Sequence, residues 1–239
     1  MNYPAKLIKE LKQHQNKEKQ IILKRFFKTG KGEYGEGDLF WGISVPQQRI
    51  IAKKFQNLNL QDISILLDSS VHEVRLTSAL ILVIKYQESK NEVEKKRIVD
   101  FYLNKLERFN NWDLIDLSSY KILGNYLYNF KRSKAILVLK DLAKSSSLWR
   151  RRAAIVSTLY FIRQKRHQET FIIAKMLQTD KHDLIHKACG WMLREVGKRV
   201  GEDILCLYLN KNCKRMARVS LRYAIERLPQ KKRKMYLKD

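Results

Sequence analysis

Proline and glycine are scarce in this 239-residue sequence, which contains three prolines and nine glycines. Both residues interrupt helix interiors, so their scarcity favours a largely helical chain. No segment shows the sustained alternation of polar and apolar residues that marks a half-buried strand. Apolar residues instead recur at helical spacing, as in Leu76, Ala79, Leu80 and Val83. We therefore predict an all-α fold.

Cysteine is also rare, and Cys189, Cys206 and Cys213 show no CxxC spacing. An odd number of isolated cysteines argues against a disulfide framework and for a reduced, cytosolic compartment. The longest apolar stretch, residues 79–84, is too short to span a bilayer, and the N-terminus has no apolar run of the signal-peptide type. We expect a cytoplasmic protein without membrane contact.

Acidic residues are few beside basic ones: 24 Asp and Glu stand against 49 Lys and Arg, which gives a formal net charge of +25. This excess exceeds what solubility requires and indicates a polyanionic partner. The basic residues run through the whole chain instead of one amphipathic helix, which favours nucleic acid over a membrane surface. A solvated basic surface without a specific partner is the alternative.

The one glycine-rich segment is TGKGEYGEGDLFWG, residues 29–42, and it contains a literal GxGxxG at Gly30, Gly32 and Gly35. A dinucleotide site requires a strand before this motif and a helix directly after it, and neither pattern is present. Three acidic residues in the same segment would also repel a pyrophosphate. We interpret the segment as a loop between two helices, with a mobile cover over a binding surface as one option.

A short pattern of one charged residue followed by small and apolar residues recurs every 31 to 41 residues, and its small residues, such as Gly190, suit close packing against a neighbouring helix. A period in this range, with two helices per unit, is typical of HEAT- or armadillo-like α-solenoids; a plain helical bundle is the alternative. Equivalent residues of a solenoid line one concave surface, where cations suit a phosphate backbone and a carboxylate suggests chemistry. The charged positions are Arg75, Asp116, Arg152, Lys187 and Arg218.

Residues 110–116, NNWDLID, have the features of a helix start. Asn110 or Asn111 is a natural N-cap, and Asp113 suits the first turn of a helix, where acids are favourable. Trp112 and Asp116 are one helical turn apart and therefore share a face. The segment predicts an aromatic and anionic spot in a cationic chain.

Five segments carry a resemblance to a known family: FWGISVPQQR, NNWDLID, SLWRRRAAIVSTLYFIR, DLIHKACGWMLREVGKR and MARVSLRYAIERLP. In order and spacing they resemble the AlkD-like DNA alkylation repair proteins, which are HEAT-like-repeat DNA glycosylases. The resemblance implies an α-solenoid with a concave basic groove that holds duplex DNA. It also implies hydrolytic removal of N3- or N7-alkylated purines in base excision repair, without a cofactor. We expect a monomer, since a single groove requires no partner chain.

The same resemblance assigns site residues. It implies that Asp116 occupies the catalytic position and that Trp112 and Trp191 offer ring faces to the damaged nucleotide. Arg152 matches a phosphate-binding arginine, and Phe26 matches an aromatic residue of the second helix that faces DNA and is a tyrosine in some members. The repeat column adds predicted DNA contacts at Arg75, Lys187 and Arg218, and Arg151 and Arg194 are predicted as further contacts.

Other classes of function remain open. The family includes paralogues with weak or no glycosylase activity, so a non-catalytic protein that binds damaged or branched DNA is the alternative, and a HEAT-type scaffold for protein or RNA is a third class. His182, His186 and Cys189 fall on one helical face, but no fourth ligand is evident, and we expect no metal.

We predict a single HEAT-like repeat domain over residues 1–239. The basic tail, KKRKMYLKD, is either a solvated chain end or an extra phosphate contact. The predicted parts are N-terminal helices 1–28, the loop 29–42, repeats over about 46–230 and the tail 231–239.

Overall fold

The computed structural model of the chain describes residues 3–238, and these residues form an all-α fold, as the sequence predicts. Within this range, extended pairing is limited to an isolated bridge between Leu39 and Val71. No helix of the described range is long and apolar enough to cross a membrane. Three residues lie outside the described range: Met1 and Asn2, where the predicted N-terminal helices begin, and Asp239, where the basic tail ends.

The chain divides into two compact units, an N-terminal unit of Met1–Ser118 and a C-terminal unit of Ser119–Asp239. The division falls at the end of the helix that begins in the NNWDLID segment. The organisation of the whole chain as one repeat domain therefore stays a prediction.

The N-terminal unit is built around its fifth helix, which is buried along most of its length and packs against the third, fourth and seventh helices. A helix enclosed on nearly all sides must provide partners for its polar side chains, because an unpaired buried polar group is costly. The helices are α1 (Tyr3–Lys12), α2 (Lys17–Phe26), α3 (Val45–Lys54), α4 (Leu60–Leu67), α5 (His72–Glu88), α6 (Glu92–Asn104) and α7 (Trp112–Ser118).

The C-terminal unit begins with a π-helical turn, Tyr120–Gly124, and continues as a succession of helices. The even-numbered helices pack in sequence, the tenth on the twelfth and the twelfth on the fourteenth. The helices are α8 (Asn125–Tyr128), α9 (Arg132–Ala143), α10 (Leu148–Arg163), α11 (Gln168–Met176), α12 (Asp183–Arg199), α13 (Glu202–Asn212), α14 (Arg218–Ile225) and α15 (Gln230–Leu237).

Small residues bring the repeated helices close together, as the recurring sequence pattern predicts. Gly190 of α12 lies so near α14 that a Cβ built on it would be 2.4 Å from the backbone oxygen of Ser220. Each of α10 and α12 also packs against the helix that precedes it, α9 and α11 respectively. This pairing confirms the helical-repeat class, whereas the concave groove stays a prediction.

Residues 29–42 form a loop between α2 and α3, as predicted, but its second half is anchored to α5. The carboxylate of Glu73 accepts the backbone N–H groups of Trp41 at 3.0 Å, Gly42 at 2.7 Å and Ile43 at 3.2 Å. Gly42 has a φ of +78°, and a Cβ there would lie 2.1 Å from the backbone oxygen of Asn16. Only glycine fits this turn. Hydrogen bonds therefore tie this half of the loop to α5, whereas a mobile cover over a binding surface stays a prediction.

Candidate functional site

Helix α7 begins at Trp112, where the NNWDLID segment predicts a helix start. Asn111, which is fully buried, accepts the N–H of Trp112 at 2.8 Å through its side-chain oxygen. Asp113 accepts the N–H of Leu114 at 2.9 Å. These bonds satisfy backbone donors that have no partner within the helix at its start. Trp112 and Asp116 are both partly exposed and lie four residues apart on one face of α7.

The indole of Trp112 is held by aromatic neighbours and by the loop. Its ring stacks on Phe27, with centroids 5.4 Å apart, and meets the ring of Phe26 edge-on at 5.8 Å. Its N–H donates to the hydroxyl of Tyr34, in the loop 29–42, at 3.2 Å. Phe26 is 59% exposed. The structure therefore brings together Phe26 and Trp112, two residues that the resemblance predicts to face DNA.

A buried ionic network lies beneath this aromatic cluster. Nε2 of His72 lies 2.9 Å from Oδ2 of Asp113, and its Nδ1 lies 3.6 Å from Oδ2 of Asp38. The second distance is an ion-pair contact and is too long for a hydrogen bond. The other oxygen of Asp38 accepts from the guanidinium of Arg75 at 2.7 Å. Two carboxylates and two basic groups thus form a compact set that joins the loop, α5 and α7.

Protonation of His72 follows from this environment. Burial by itself lowers the pKa of the imidazole, but Asp113 and Asp38 favour the charged form and raise the pKa of His72 to about 9. Burial by itself raises the pKa of Asp38, but the contacts of Asp38 with His72 and Arg75 outweigh this effect and hold its pKa below the usual value. His72 is therefore a cation and Asp38 an anion at neutral pH.

An apolar pocket of about 290 Å³ opens beside Trp112. Its walls include residues of α2, α3, α5 and α7. Its polar members are His72 and Asp113, which belong to the ionic network, together with Gln48 and Glu73. Such a recess can accept a flat or apolar group against aromatic rings. Its other main lining residues are Leu23, Phe26, Phe27, Phe40, Val45, Leu76 and Trp112.

Arg75, predicted to contact DNA from the repeat column, has its partners inside the N-terminal unit. Its side chain is 3% exposed and pairs with Asp38, and it also donates to the backbone oxygen of Ser69 at 2.8 Å. A guanidinium buried in this way is not accessible to a phosphate. Arg75 thus neutralises a buried carboxylate, and its DNA contact stays a prediction.

The side chains of Arg151 and Arg152 point in different directions from α10, as those of consecutive residues in a helix must. Arg151 pairs with Asp180 at 2.6 Å and donates to the backbone oxygens of Ser145 and Ser146. Arg152 is only 5% exposed, and its guanidinium donates to the backbone oxygen of Leu184, at the start of α12, at 2.5 Å. Both arginines thus fix the N-terminal end of α10 to its surroundings.

The remaining predicted residues lie on α12 and α14. Trp191 is partly exposed on α12, and Arg194 of the same helix forms an ion pair with Glu226. Lys187 pairs with Asp183, one turn earlier, at 2.6 Å. Arg218 is exposed and donates to the backbone oxygen of Leu237, at the end of α15. The C-terminal unit therefore carries Trp191 and five predicted cations on three helices.

Two of the three residues considered for a metal, His182 and Cys189, have surroundings that the structure describes in detail. Nδ1 of His182 accepts the N–H of Leu184 at 3.1 Å and caps α12. Cys189 is fully enclosed, and burial raises the pKa of its thiol to about 12. Among residues 3–238, no group of three or more His, Cys, Asp or Glu side chains is arranged to hold a metal ion.

Sequence reasoning missed His72, Asp38 and Tyr34 as parts of this site. The sequence did contain a signal for His72. Directly before the apolar run of α5 stand three ionisable residues, His72, Glu73 and Arg75. Ionisable residues at the entry of a buried helix require partners, and acids supplied by the glycine-rich loop are suitable ones.

Comparisons with known proteins agree with this fold. A family model described as "DNA alkylation repair enzyme" matches residues 7–228. A solved structure described as a predicted DNA alkylation repair enzyme from Enterococcus faecalis superposes with a TM-score of 0.68, over 91% of this chain and 98% of that one, at 16% sequence identity. This likeness supports the fold. No curated protein sequence matches the chain. Because the family model covers nearly its whole length, the protein belongs to the DNA alkylation repair enzyme family.

Proposed function

We propose that the protein is a DNA glycosylase that hydrolyses the N-glycosidic bond of N3- or N7-alkylated purines in duplex DNA, as a step of base excision repair. The family and the net charge of +25 support DNA as the partner. The observation that carries the catalytic part is the pairing of Trp112 and Asp116 on one partly exposed face of α7. A carboxylate on such a face opposes phosphate binding, so its value lies in chemistry.

The proposed reaction needs one well-placed carboxylate. A purine alkylated at N3 or N7 is cationic, so it leaves as a neutral base when the bond to C1′ breaks and takes the bonding electrons. Positive charge then develops on the deoxyribose. The carboxylate of Asp116 stabilises this charge and accepts a proton from the water that adds to C1′. Neither a metal nor a cofactor is required by this scheme.

The tryptophans provide flat contact surfaces and an electrostatic field that favours a nearby cation. An electron-rich indole face attracts a nearby cation, whether that is the alkylated base or the forming sugar cation. The contacts of Trp112 with Phe27 and Tyr34 fix the orientation of its ring before DNA arrives, which reduces the cost of ordering it in the complex. We assign the same role to Trp191 of α12, which is also partly exposed.

Cations of the C-terminal unit are the proposed phosphate contacts. Lys187 and Arg218 have accessible side chains. The resemblance also assigns Arg152 to a phosphate beside the lesion, a contact that requires its buried guanidinium to leave the backbone oxygen of Leu184. Arg151 and Arg194 would have to exchange their carboxylate partners, Asp180 and Glu226, for a phosphate. We propose that the protein acts as a monomer on nucleoid DNA in the cytoplasm.

A non-catalytic DNA-binding protein is the second candidate. The family and the net charge of +25 support this candidate as they support the first, and the two differ in whether Asp116 acts on the sugar. Such a protein would bind DNA without releasing bases.

Release of 7-methylguanine and 3-methyladenine from methylated duplex DNA distinguishes the two. We expect wild-type protein to release at least one of these bases and Asp116→Asn to release neither. Salt-dependent DNA binding with no release by the wild type would support the binding protein.

A further inference from the structure

His72 connects the glycine-rich loop and α7 to the buried helix α5. We infer that His72 is a positioning residue, which fixes the first turn of α7 and, through it, Trp112 and Asp116. The catalytic consequence of this inference rests on the proposed function, whereas the geometric consequence does not.

The geometry begins with the two carboxylates of the network. Asp113 lies between Trp112 and Asp116 in sequence, and its Oδ2 is 2.9 Å from Nε2 of His72. Its other oxygen accepts the N–H of Leu114, within the first turn of α7. One carboxylate is therefore bonded to the backbone of α7 and to the side chain that begins α5. Any shift of His72 is transmitted to the turn that carries Trp112.

Charge balance makes this link strong. His72 is 2% exposed and has anionic groups on two sides, Asp113 from α7 and Asp38 from the loop, with Arg75 of its own helix beside Asp38. The four groups carry two positive and two negative charges when His72 is protonated, in agreement with its raised pKa. Loss of the imidazolium would leave an uncompensated carboxylate in a largely dry environment.

A second route from His72 to Trp112 passes through aromatic rings. The imidazole stacks on Phe40, with centroids 4.7 Å apart, and lies against Phe27 at 4.8 Å. Phe27 in turn stacks on Trp112 at 5.4 Å. His72 therefore supports both the backbone of the first turn and the plane of the indole, so that its removal is expected to displace the side chains that the proposed chemistry uses.

The test compares His72→Gln with His14→Gln, a variant of an exposed histidine of the same unit whose Nε2 lies 3.1 Å from the side-chain amide of Gln47. We expect the single-turnover rate constant of base release to fall at least about tenfold in His72→Gln, because small misplacements of catalytic groups have effects of this size. The dissociation constant for methylated duplex should change less than about threefold, since the phosphate contacts are elsewhere. His14→Gln should match the wild type.

The pH dependence separates positioning from simple packing. The wild-type rate, corrected for spontaneous depurination, should decline as the pH rises through about 9, where His72 loses its proton. That decline should be absent in His72→Gln. The double variant His72→Gln/Asp113→Asn, which replaces the ion pair with a neutral hydrogen bond, should recover part of the lost rate. If His72→Gln does not fold, Asp113→Asn takes its place in the comparison.

A spectroscopic measurement judges the inference even if the protein releases no base. The indole N–H resonance of Trp112, assigned with Trp112→Phe, reports the hydrogen bond to Tyr34 and the stacking on Phe27. We expect this resonance to shift or broaden in His72→Gln and to stay in place in His14→Gln. An unchanged resonance in folded His72→Gln would overturn the inference, as would an unchanged rate and pH profile in an active enzyme. Absence of release by the wild type would contradict only the proposed function.

Discussion

The carboxylate of Asp113 lies 2.9 Å from the imidazole of His72, and this ion pair joins the start of α7 to the start of α5. Trp112 and Asp116 flank Asp113 in sequence, so the residues proposed to act on DNA are carried by a turn that is tied to the protein interior. The arrangement provides a rigid support for a site on a short surface helix.

Stability should depend on pH through His72. Its folded pKa of about 9 is above the ordinary value of 6.5, so its contribution to the free energy of unfolding is fully present below pH 6.5 and is lost as the pH rises through 9. The full contribution is on the order of 3 kcal/mol. Urea unfolding between pH 6 and 10 should show a larger decrease in the free energy of unfolding for the wild type than for His72→Gln. Parallel losses in both proteins would contradict the ion pair.

Glu73→Gln should weaken the anchoring of the loop to α5. Glu73 is buried and accepts three backbone N–H groups from residues 41–43, and hydrogen bonds to a charged acceptor are stronger than those to an amide. We expect a loss of about 2–4 kcal/mol in the free energy of unfolding. Glu88→Gln, at the exposed end of the same helix, is the control and should change stability little. Equal effects of the two substitutions would argue against the anchor.

Gly190→Ala should separate α12 from α14. The added Cβ would meet the backbone oxygen of Ser220 at 2.4 Å and Cβ of Tyr223 at 2.6 Å, and neither atom can move without its helix. A loss of roughly 1–3 kcal/mol in the free energy of unfolding is expected from such overpacking. Gly197→Ala, in the same helix, meets the flexible end of Leu205 and should cost less. Chemical denaturation of both variants checks the ranking, and a reversed order would be inconsistent with close packing at Gly190.

Salt dependence of DNA binding should distinguish exposed from buried cations. Lys187→Gln and Arg218→Gln should each weaken binding and reduce the slope of log K against log salt by about 1, if each side chain contacts one phosphate. Arg75→Gln should leave the slope unchanged in the folded protein and lower its stability, because Arg75 pairs with buried Asp38. Titrations at several salt concentrations measure the slopes. A reduced slope for Arg75→Gln would show that its guanidinium reaches DNA.

The sequence predicted features that depend on local pattern. Helical periodicity and the scarcity of proline predicted the all-α fold, and the NNWDLID segment predicted the start of α7 at Trp112. Gly190 predicted a close contact between helices. A residue without a side chain allows close approach, whichever helix packs against it.

Features that depend on distant partners could not be read in the same way. Arg75 resembles the other charged residues of the repeat pattern, yet its partner Asp38 is 37 positions away. Tyr34 and Trp112 are 78 positions apart. A charge or a hydroxyl in sequence does not reveal whether it faces water or a buried partner, since burial is decided by the packing of other elements.

Asp116 is proposed to perform chemistry and not to serve DNA binding. This role is tested most directly by measuring base release and duplex binding in the same preparations of wild-type protein and Asp116→Asn, on DNA containing 7-methylguanine. We expect the variant to lose release and to bind the duplex as tightly as the wild type or slightly more tightly, because one charge that repels phosphate is removed. Release at the wild-type rate by Asp116→Asn would contradict the proposed role.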